Sequence, residues 1–274
     1  MSEQKQIIVS GSFDDIRSRH LRFLEEASKL GPLTVLLWPD ETLRKITGKA
    51  PKFPLAERRY FLNTVQFVNR VIALSDPMNP DELPPLLDLQ GSVWADDNAT
   101  ASAARKEFCE QRGVVYRVFS ENELKGFPPL SPKPSAAGRK KVIVTGCYDW
   151  FHSGHVRFFE EASSYGDLYV VVGHDENIQL LKGKGRPLFP EEERRYMVGS
   201  IRFVKEALIS SGHGWLDAEP EIKRISPDIY LVNEDGDVPE KRDYCRRHGI
   251  EYIVLKRVPA PGLPQRSSTA LRTT

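Results

Sequence analysis

Gly146-Cys147-Tyr148-Asp149-Trp150-Phe151-His152-Ser153-Gly154-His155 is the stretch that decides how this chain folds. Just before it, Lys141 to Thr145 is a short apolar, β-branched run ending at a glycine turn, the pattern of a buried strand. Just after it, Val156 to Tyr165 has helical spacing, with Val156, Phe159 and Ala162 on one side and Gly166 as the expected C-terminal stop. The stretch thus joins a strand to a helix and sets His152 and His155 one turn apart at the helix N-terminus. A helix start offers unpaired N–H groups and the positive end of a dipole, and both favour phosphate. Gly154 has no side chain, so a phosphate can come close to the backbone there. A pair of solvated or capping histidines is the plainer alternative.

Outward from this turn, Leu168 to Gly173 reads as the next strand and Glu191 to Ala207 as a longer helix opening acidic after Pro190. Asp228 to Val232 and Glu251 to Leu255 read as further strands, separated by a helix around Glu240 to His248. Alternation of this kind predicts a mostly parallel sheet with helices on both faces. Ligands of such sheets sit at the carboxyl ends of the strands, where the glycine turn and the histidines fall.

The same pattern occurs twice. Gly11-Ser12-Phe13-Asp14 is matched by Gly146-Cys147-Tyr148-Asp149, and His20 to Ser28 by His155 to Ser163 at the same offset. Asp40-Glu41 pairs with Asp175-Glu176, Phe53-Pro54 with Phe189-Pro190, Glu57 to Tyr60 with Glu193 to Tyr196, and Cys109 with Cys245. We therefore expect an α/β chain of two tandem Rossmann-like domains. Residues 1–128 form one copy, 129–139 a linker of Pro, Ser, Ala and Gly character, and 140–274 the other.

Bulk properties narrow the class. The 274 residues are 40% hydrophobic and 28% charged with a net charge of +1, which suits a soluble globular protein and shows no nucleic-acid footprint. No apolar run is long enough to span a bilayer, and Met1 to Gln6 lacks a signal-peptide layout, so a cytoplasmic location is expected. Cys109, Cys147 and Cys245 show no metal-ligand spacing and are expected as reduced thiols. A Walker-type loop, a serine-hydrolase elbow and a zinc cluster are all absent.

Other cations cluster in the second copy. Lys182-Gly183-Lys184-Gly185-Arg186-Pro187 reads as a mobile basic flap suited to polyphosphate. Arg195 and Arg202 share a face of the expected 191–207 helix, with Arg194 one position round. Ser267-Ser268-Thr269 could cap a short terminal helix and donate hydroxyls to phosphate.

These residues resemble the cytidylyltransferase-like nucleotidyltransferases, which join an NMP unit to a phosphorylated small molecule and release pyrophosphate. His152-Ser153-Gly154-His155 matches the family's His-x-Gly-His, Lys182 and Lys184 its phosphate-contacting lysines, and Glu193-Arg194 with Ser200 to Val204 its arginine-bearing helix. Ser267-Ser268-Thr269 looks like its terminal Ser-Thr-Thr element. The resemblance implies catalytic roles for His152, His155, Lys182 and Arg202. It implies nucleotide contacts from Gly146, Cys147, Tyr148, Gly154, Lys184, Arg194, Asp235, Ser267, Ser268 and Thr269. It further implies Mg²⁺ on the β and γ oxygens of CTP or ATP, with no dedicated protein ligands, and a phosphorylated alcohol or sugar as acceptor. The sequence departs from the family at Asn233 to Asp237 and in the stretched segment Pro259 to Pro264, near base and substrate recognition. In the first copy Arg17-Ser18-Arg19-His20 replaces the His-x-Gly-His, Thr47 replaces Lys182 and Gln66 replaces Arg202. That copy is expected to be inactive and to act as a built-in partner, an internal pseudo-dimer. A non-catalytic nucleotide-binding regulator is the alternative reading, because one half is already degenerate.

Overall fold

The computed structural model describes residues 5–85 and 89–272. The chain divides into two compact units, Met1–Gly126 and Phe127–Thr274. The first runs β1 (Ile7–Gly11), α1 (Ser18–Ser28), β2 (Leu33–Leu37), α2 (Asp40–Thr47), α3 (Leu55–Thr64) and β3 (Arg70–Ala73). It continues with β4 (Val93–Asp97), α4 (Ala103–Arg112) and β5 (Val115–Phe119). The second runs β6 (Lys141–Gly146), α5 (Ser153–Ser163), β7 (Asp167–Val172), α6 (Asp175–Lys182), α7 (Glu191–Gly199) and β8 (Val204–Ile209). Then follow α8 (Glu219–Ile225), β9 (Ile229–Asn233), α9 (Pro239–His248), β10 (Glu251–Leu255) and α10 (Ser268–Arg272).

Each unit holds one five-stranded sheet, ordered β3-β2-β1-β4-β5 in the first and β8-β7-β6-β9-β10 in the second. Every strand pairing is parallel. Parallel neighbours need crossover connections, and the order reverses direction at β1 and at β6, so helices cover both faces. The strands explain themselves chemically: Val142, Ile143 and Val144 of β6 and Val170 to Val172 of β7 are all buried, as strands covered on both sides require. On one face Ile143, Val171, Tyr230 and Val232 pack against Ile222 and Ile225 of α8 and Tyr244 and Cys245 of α9. All three cysteines are free thiols, Cys109 and Cys245 buried and Cys147 half-buried.

Three local expectations need correction. The long helix read over Glu191 to Ala207 is two elements, α7 ending at Gly199 and strand β8 beginning at Val204. Apolar residues at 197, 201 and 204 satisfy helical spacing, but pairing with β7 takes Val204 to Ile209 into the sheet. Arg195 and Arg202 therefore share no helix face. Gly166 does not end α5, which closes at Ser163 with Ser164 still right-handed. A Cβ at Gly166 would lie 2.1 Å from the Lys140 carbonyl oxygen, so the glycine serves that close approach instead.

The segment of linker composition belongs with the second unit. The Phe127 carbonyl accepts from Arg195 Nη2 at 3.2 Å, and the Phe127 and Tyr196 rings lie 5.7 Å apart. Lys133 Nζ donates to the carbonyls of Ile201, Arg202 and Val204 at 3.0, 2.9 and 2.7 Å, capping the turn that leads into β8. Burial, with Arg202 nearby, pulls the Lys133 ammonium down to about 8. Among the described residues no helix is long and apolar enough to cross a membrane.

Candidate active site

The turn after β6 is built around an aromatic ring. Tyr148 takes a left-handed backbone (φ 52°) and folds back over Gly146, where a Cβ would meet its ring at 2.8 Å. Gly146 is thus needed for the ring. Tyr148 is buried, stands edge-on to His155 at 5.4 Å and to Phe159 at 5.3 Å, and its hydroxyl has no partner. Gly11 and Phe13 (φ 47°) repeat the arrangement in the first unit.

His152 is the N-cap of α5, extended at φ −151°, ψ 172°. Its Nδ1 accepts from the Gly154 N–H at 3.1 Å, which satisfies one of the helix's orphan donors. The ring proton of the neutral imidazole therefore sits on Nε2, and that nitrogen is buried with no partner. His155 stacks on it, centroids 4.0 Å apart at 23°, with Phe151 behind at 5.3 Å. Its Nδ1 is also unpartnered. Burial, then Arg257 and Arg266, pushes His152 down to about 3, and burial, then His152, Arg257 and Lys182, pushes His155 well below its ordinary range. At neutral pH the site holds two uncharged rings with unused polar atoms. Gly154 serves this geometry directly, because a Cβ there would stand 2.9 Å from His152 Cε1.

Lys182 ends α6 and is exposed, and its charge acts on both His155 and the Cys147 thiol, which places it on the same sheet edge. Lys184 is exposed in the following loop. Asp149, buried in the glycine turn, holds that loop. Its Oδ1 accepts from the N–H groups of Leu188 and Phe189 at 2.6 and 3.1 Å, and its Oδ2 faces Arg272 at 3.3 Å and Arg186 at 3.8 Å. Composition alone did not single out Asp149, although the repeat carried the signal: Asp14 accepts from the Lys52 and Phe53 N–H groups at 2.8 Å in the same way.

Two arginines occupy other places than the resemblance implied. Arg194 is fully buried and donates to the carbonyls of Phe189, Cys147 and Gly173 and to Asp175 Oδ1, all within 2.8 Å. It pins the carboxyl ends of β6 and β7, with four of its N–H donors engaged within the protein. Arg58 makes the same set with Phe53, Ser12, Trp38 and Asp40 in the first unit. Arg202 lies just before Val204, which pairs with Leu168 near the start of β7, so it stands at the amino edge of the sheet, away from the histidines.

The remaining nucleotide candidates converge at the carboxyl ends of β9 and β10. Asp235 pairs with Arg257 at 3.0 Å, and Arg257 Nη2 donates to the Arg266 carbonyl at 2.7 Å. Ser267 Oγ accepts from the Ala270 N–H at 3.2 Å, Ser268 Oγ donates to the Trp150 carbonyl at 3.0 Å, and Thr269 accepts from Arg272 at 3.4 Å. The terminal tract thus caps α10 and ties it to the glycine turn. Between Gly154 and Phe158 of α5 and the segment from Lys256 to Arg266 runs a shallow open cleft, also lined by Glu161 and Asn233.

At the other end of the same edge, after β7 and β8, His174 Nδ1 lies 3.2 Å from Ser210 Oγ, which donates to Asp217 at 2.6 Å. The His213 ring stands 5.3 Å from that of His174, and Trp215 is exposed beside it in sequence. The sequence reading missed this cluster, as it missed Arg257, because each residue is isolated until the sheet aligns the strand ends. Among the described residues no group of three His, Cys, Asp or Glu side chains converges to hold a metal.

The first unit lacks this arrangement at its own turn. Arg17 pairs with Asp15 at 2.7 Å, Arg19 with Glu121 at 2.5 Å, and His20 Nδ1 accepts from the Arg17 N–H at 3.0 Å. Its cations are spent on carboxylates.

Comparison with known proteins gives a family and several relatives. The model of the cytidylyltransferase-like family matches residues 143–273. The chain is 38% identical over 120 residues to the FAD synthase of Ferroglobus placidus, covering 43% of this chain and 75% of that one. It is 36% identical over 123 residues to the FAD synthase of Thermococcus kodakarensis, covering 43% and 80%. It is 30% identical over 167 residues to the bifunctional protein HldE of Aliarcobacter butzleri, covering 60% of this chain and 34%, about a third, of that one.

Proposed function

Because the chain belongs to the cytidylyltransferase-like family of nucleotidyltransferases, we propose that its second unit transfers the NMP part of a nucleoside triphosphate to a phosphorylated small molecule. The observation that carries this reading is the stacked, neutral pair His152–His155, with unpartnered ring nitrogens at a helix N-terminus where the strand order reverses. The carboxyl edge reads as a line. The cleft by β9 and β10 takes the nucleoside, the histidines at β6 take the phosphates, and the His174–Ser210–Asp217 cluster after β7 and β8 faces the acceptor. ATP or CTP is the donor. FAD contains an adenylate, so the likeness to two FAD synthases supports ATP.

An acceptor phosphate oxygen attacks the α-phosphorus, the new P–O bond forms in line as the bond to pyrophosphate breaks, and no protein base is needed. Charge growing on the non-bridging oxygens meets His152 Nε2–H and the His155 ring, and the leaving pyrophosphate meets Lys182 and Lys184. Mg²⁺ would come as a companion of the nucleotide and would neutralise phosphate charge; among the described residues no group of three His, Cys, Asp or Glu side chains would hold it separately. Arg194 positions the strand ends and Gly146, Tyr148 and the Cys147 carbonyl shape the turn. The first unit takes no part in the chemistry and serves as the covalently joined partner of the second.

The test is thermal stability of the protein with CTP, ATP, GTP and UTP plus Mg²⁺, followed by pyrophosphate release with phosphorylated acceptors. A nucleotide at a hundred times its Kd adds about 2.7 kcal/mol. His152→Ala should abolish that shift and slow turnover about a hundredfold or more. No shift with any of the four would refute the proposal.

A further inference from the structure

We propose that His174 reads a hydrogen-bond donor, hydroxyl or ammonium, on the organic part of the acceptor, with Ser210 and Asp217 locking its ring in the tautomer that does so. This rests on the transfer reaction proposed above and names what its acceptor must carry. The lock follows from counting protons. Ser210 is buried, and its hydroxyl has one proton and two lone pairs. The proton goes to the Asp217 carboxylate, which only accepts, at 2.6 Å. Both lone pairs are left for His174: one takes its backbone N–H at 3.0 Å and the other its Nδ1–H at 3.2 Å. Nδ1 therefore carries the ring proton and Nε2 the lone pair. His174 is half-buried, and its Nε2 takes no hydrogen bond from the described residues.

This tautomer is the opposite of that of His152, whose Nδ1 accepts from the Gly154 N–H and whose proton sits on Nε2. The two rings belong to one strand edge. The Gly173 N–H donates to the Gly146 carbonyl at 3.0 Å, and Arg194 joins the carbonyls of Cys147 and Gly173. One histidine thus offers a donor, which suits a phosphate oxygen. The other offers an acceptor, which suits a group with a proton to give. Asp217 adds to the second, because it is half-buried and its Oδ1 accepts no hydrogen bond from the described residues. A carboxylate repels phosphate, so the part of the acceptor that meets this pair is the organic part.

The loop that carries Asp217 is fixed before any ligand arrives. Asn177 of α6 is buried and grips it with both ends of its amide, accepting from the Gly214 N–H at 2.7 Å and donating to the Gly214 carbonyl at 3.1 Å. The Gly212 N–H donates to the Asp217 carbonyl at 2.8 Å. A Cβ at Gly173 would stand 2.7 Å from Ile178 Cδ1 and 3.3 Å from Asp217 Oδ2, so a bare residue keeps this corner open. The first unit supplies the control. Its strands β1 to β3 pair in the same register, and the Leu74 N–H donates to the Leu37 carbonyl as that of Ser210 donates to Val172. Yet Pro39 stands in the place of His174, Leu74 in that of Ser210 and Trp38 in that of Gly173. The copy without the His152–His155 pair also lacks the His174–Ser210 pair, while keeping the scaffold beneath both.

The experiment has two readouts on the full-length protein. Nitrogen NMR of the histidine rings reads the tautomers. His174 should show an unprotonated Nε2 and His152 an unprotonated Nδ1, and Ser210→Ala should mix the tautomers of His174 while leaving His152 alone. Pyrophosphate release with ATP or CTP and Mg²⁺ then compares aminoethyl phosphate, glycerol phosphate and ethyl phosphate, the last having no donor on its organic part. At least one of the first two should exceed ethyl phosphate in kcat/KM by about a hundredfold. His174→Ala should raise KM for that acceptor about tenfold and leave KM for the nucleotide unchanged. Asp217→Asn keeps an acceptor for Ser210 and tells the two donors apart: an ammonium should lose about tenfold and a hydroxyl little, and either agrees with the assignment. Ethyl phosphate working as well as the others, or an acceptor KM unmoved by His174→Ala, would overturn this assignment alone. So would a His174 protonated on Nε2, or release from none of the three while nucleotides still stabilise the protein. No stabilisation by any nucleotide would overturn the transfer reaction and the assignment with it.

Discussion

His152 is held in the folded protein as a base too weak to protonate at neutral pH, and that has a thermodynamic signature. Its folded value is about 3 against an ordinary 6.5, because burial and the nearby arginines disfavour the imidazolium. Below pH 6.5 the unfolded chain takes up a proton that the folded chain refuses until about pH 3, so stability falls as pH drops through that window. One such histidine contributes about 1.4 kcal/mol per pH unit. Urea denaturation between pH 6 and 4 should show a slope that much steeper in the wild type than in His152→Gln. Equal slopes would mean that His152 titrates normally in the fold. The sequence already showed two imidazoles at a helix start. It could not show that the first caps its own helix, because capping depends on the extended backbone at residue 152 and on the bare Gly154 that lets the ring lie flat.

The element scale explains which parts of the second unit were legible. Strands β6, β7, β9 and β10 are runs of β-branched and apolar residues bounded by turns, and such runs declare themselves without tertiary context. Strand β8 did not, because Val204-Lys205-Glu206-Ala207 has no clean alternation and continues the helical spacing of α7. The arginines were misread for the same reason: residue type says cation, while only the fold says whether its donors point inward. Arg194 points inward, to three carbonyls and a carboxylate. Lysine offers one ammonium in place of that planar fork, so Arg194→Lys should cost about 3 kcal/mol. For a unit of this size that lowers Tm by about 8 °C, readable by calorimetry. Arg202→Lys, at an exposed position, should move it little; equal losses from both would contradict the pin.

At the scale of the molecule, the two sheets have one strand order, and both keep the glycine turn, the Asp14 or Asp149 clasp and the arginine pin. What differs is chemistry at the turn. The first unit sets Arg17 and Arg19 against carboxylates where the second leaves ring nitrogens unused. If all turnover belongs to the second unit, the double variant His152→Ala, His155→Ala should show no pyrophosphate release above background, although the first unit is untouched. Residual release at more than about a hundredth of the wild-type rate would place activity in the first unit as well. The sequence showed this difference at the turn, since the scaffold residues recur in both copies and His152-Ser153-Gly154-His155 does not.

The clip made by Lys133 also says where the polypeptide can be cut. Composition puts the seam at Pro129 to Gly138, but Phe127 is fastened to α7 and Lys133 to the turn before β8. A fragment begun at Lys140 would take the Lys133 ammonium away from the carbonyls of residues 201, 202 and 204 and uncover the Tyr196 ring. Begun at Phe127 it keeps both. Inserted tags belong between residues 134 and 138, in exposed chain past the clip.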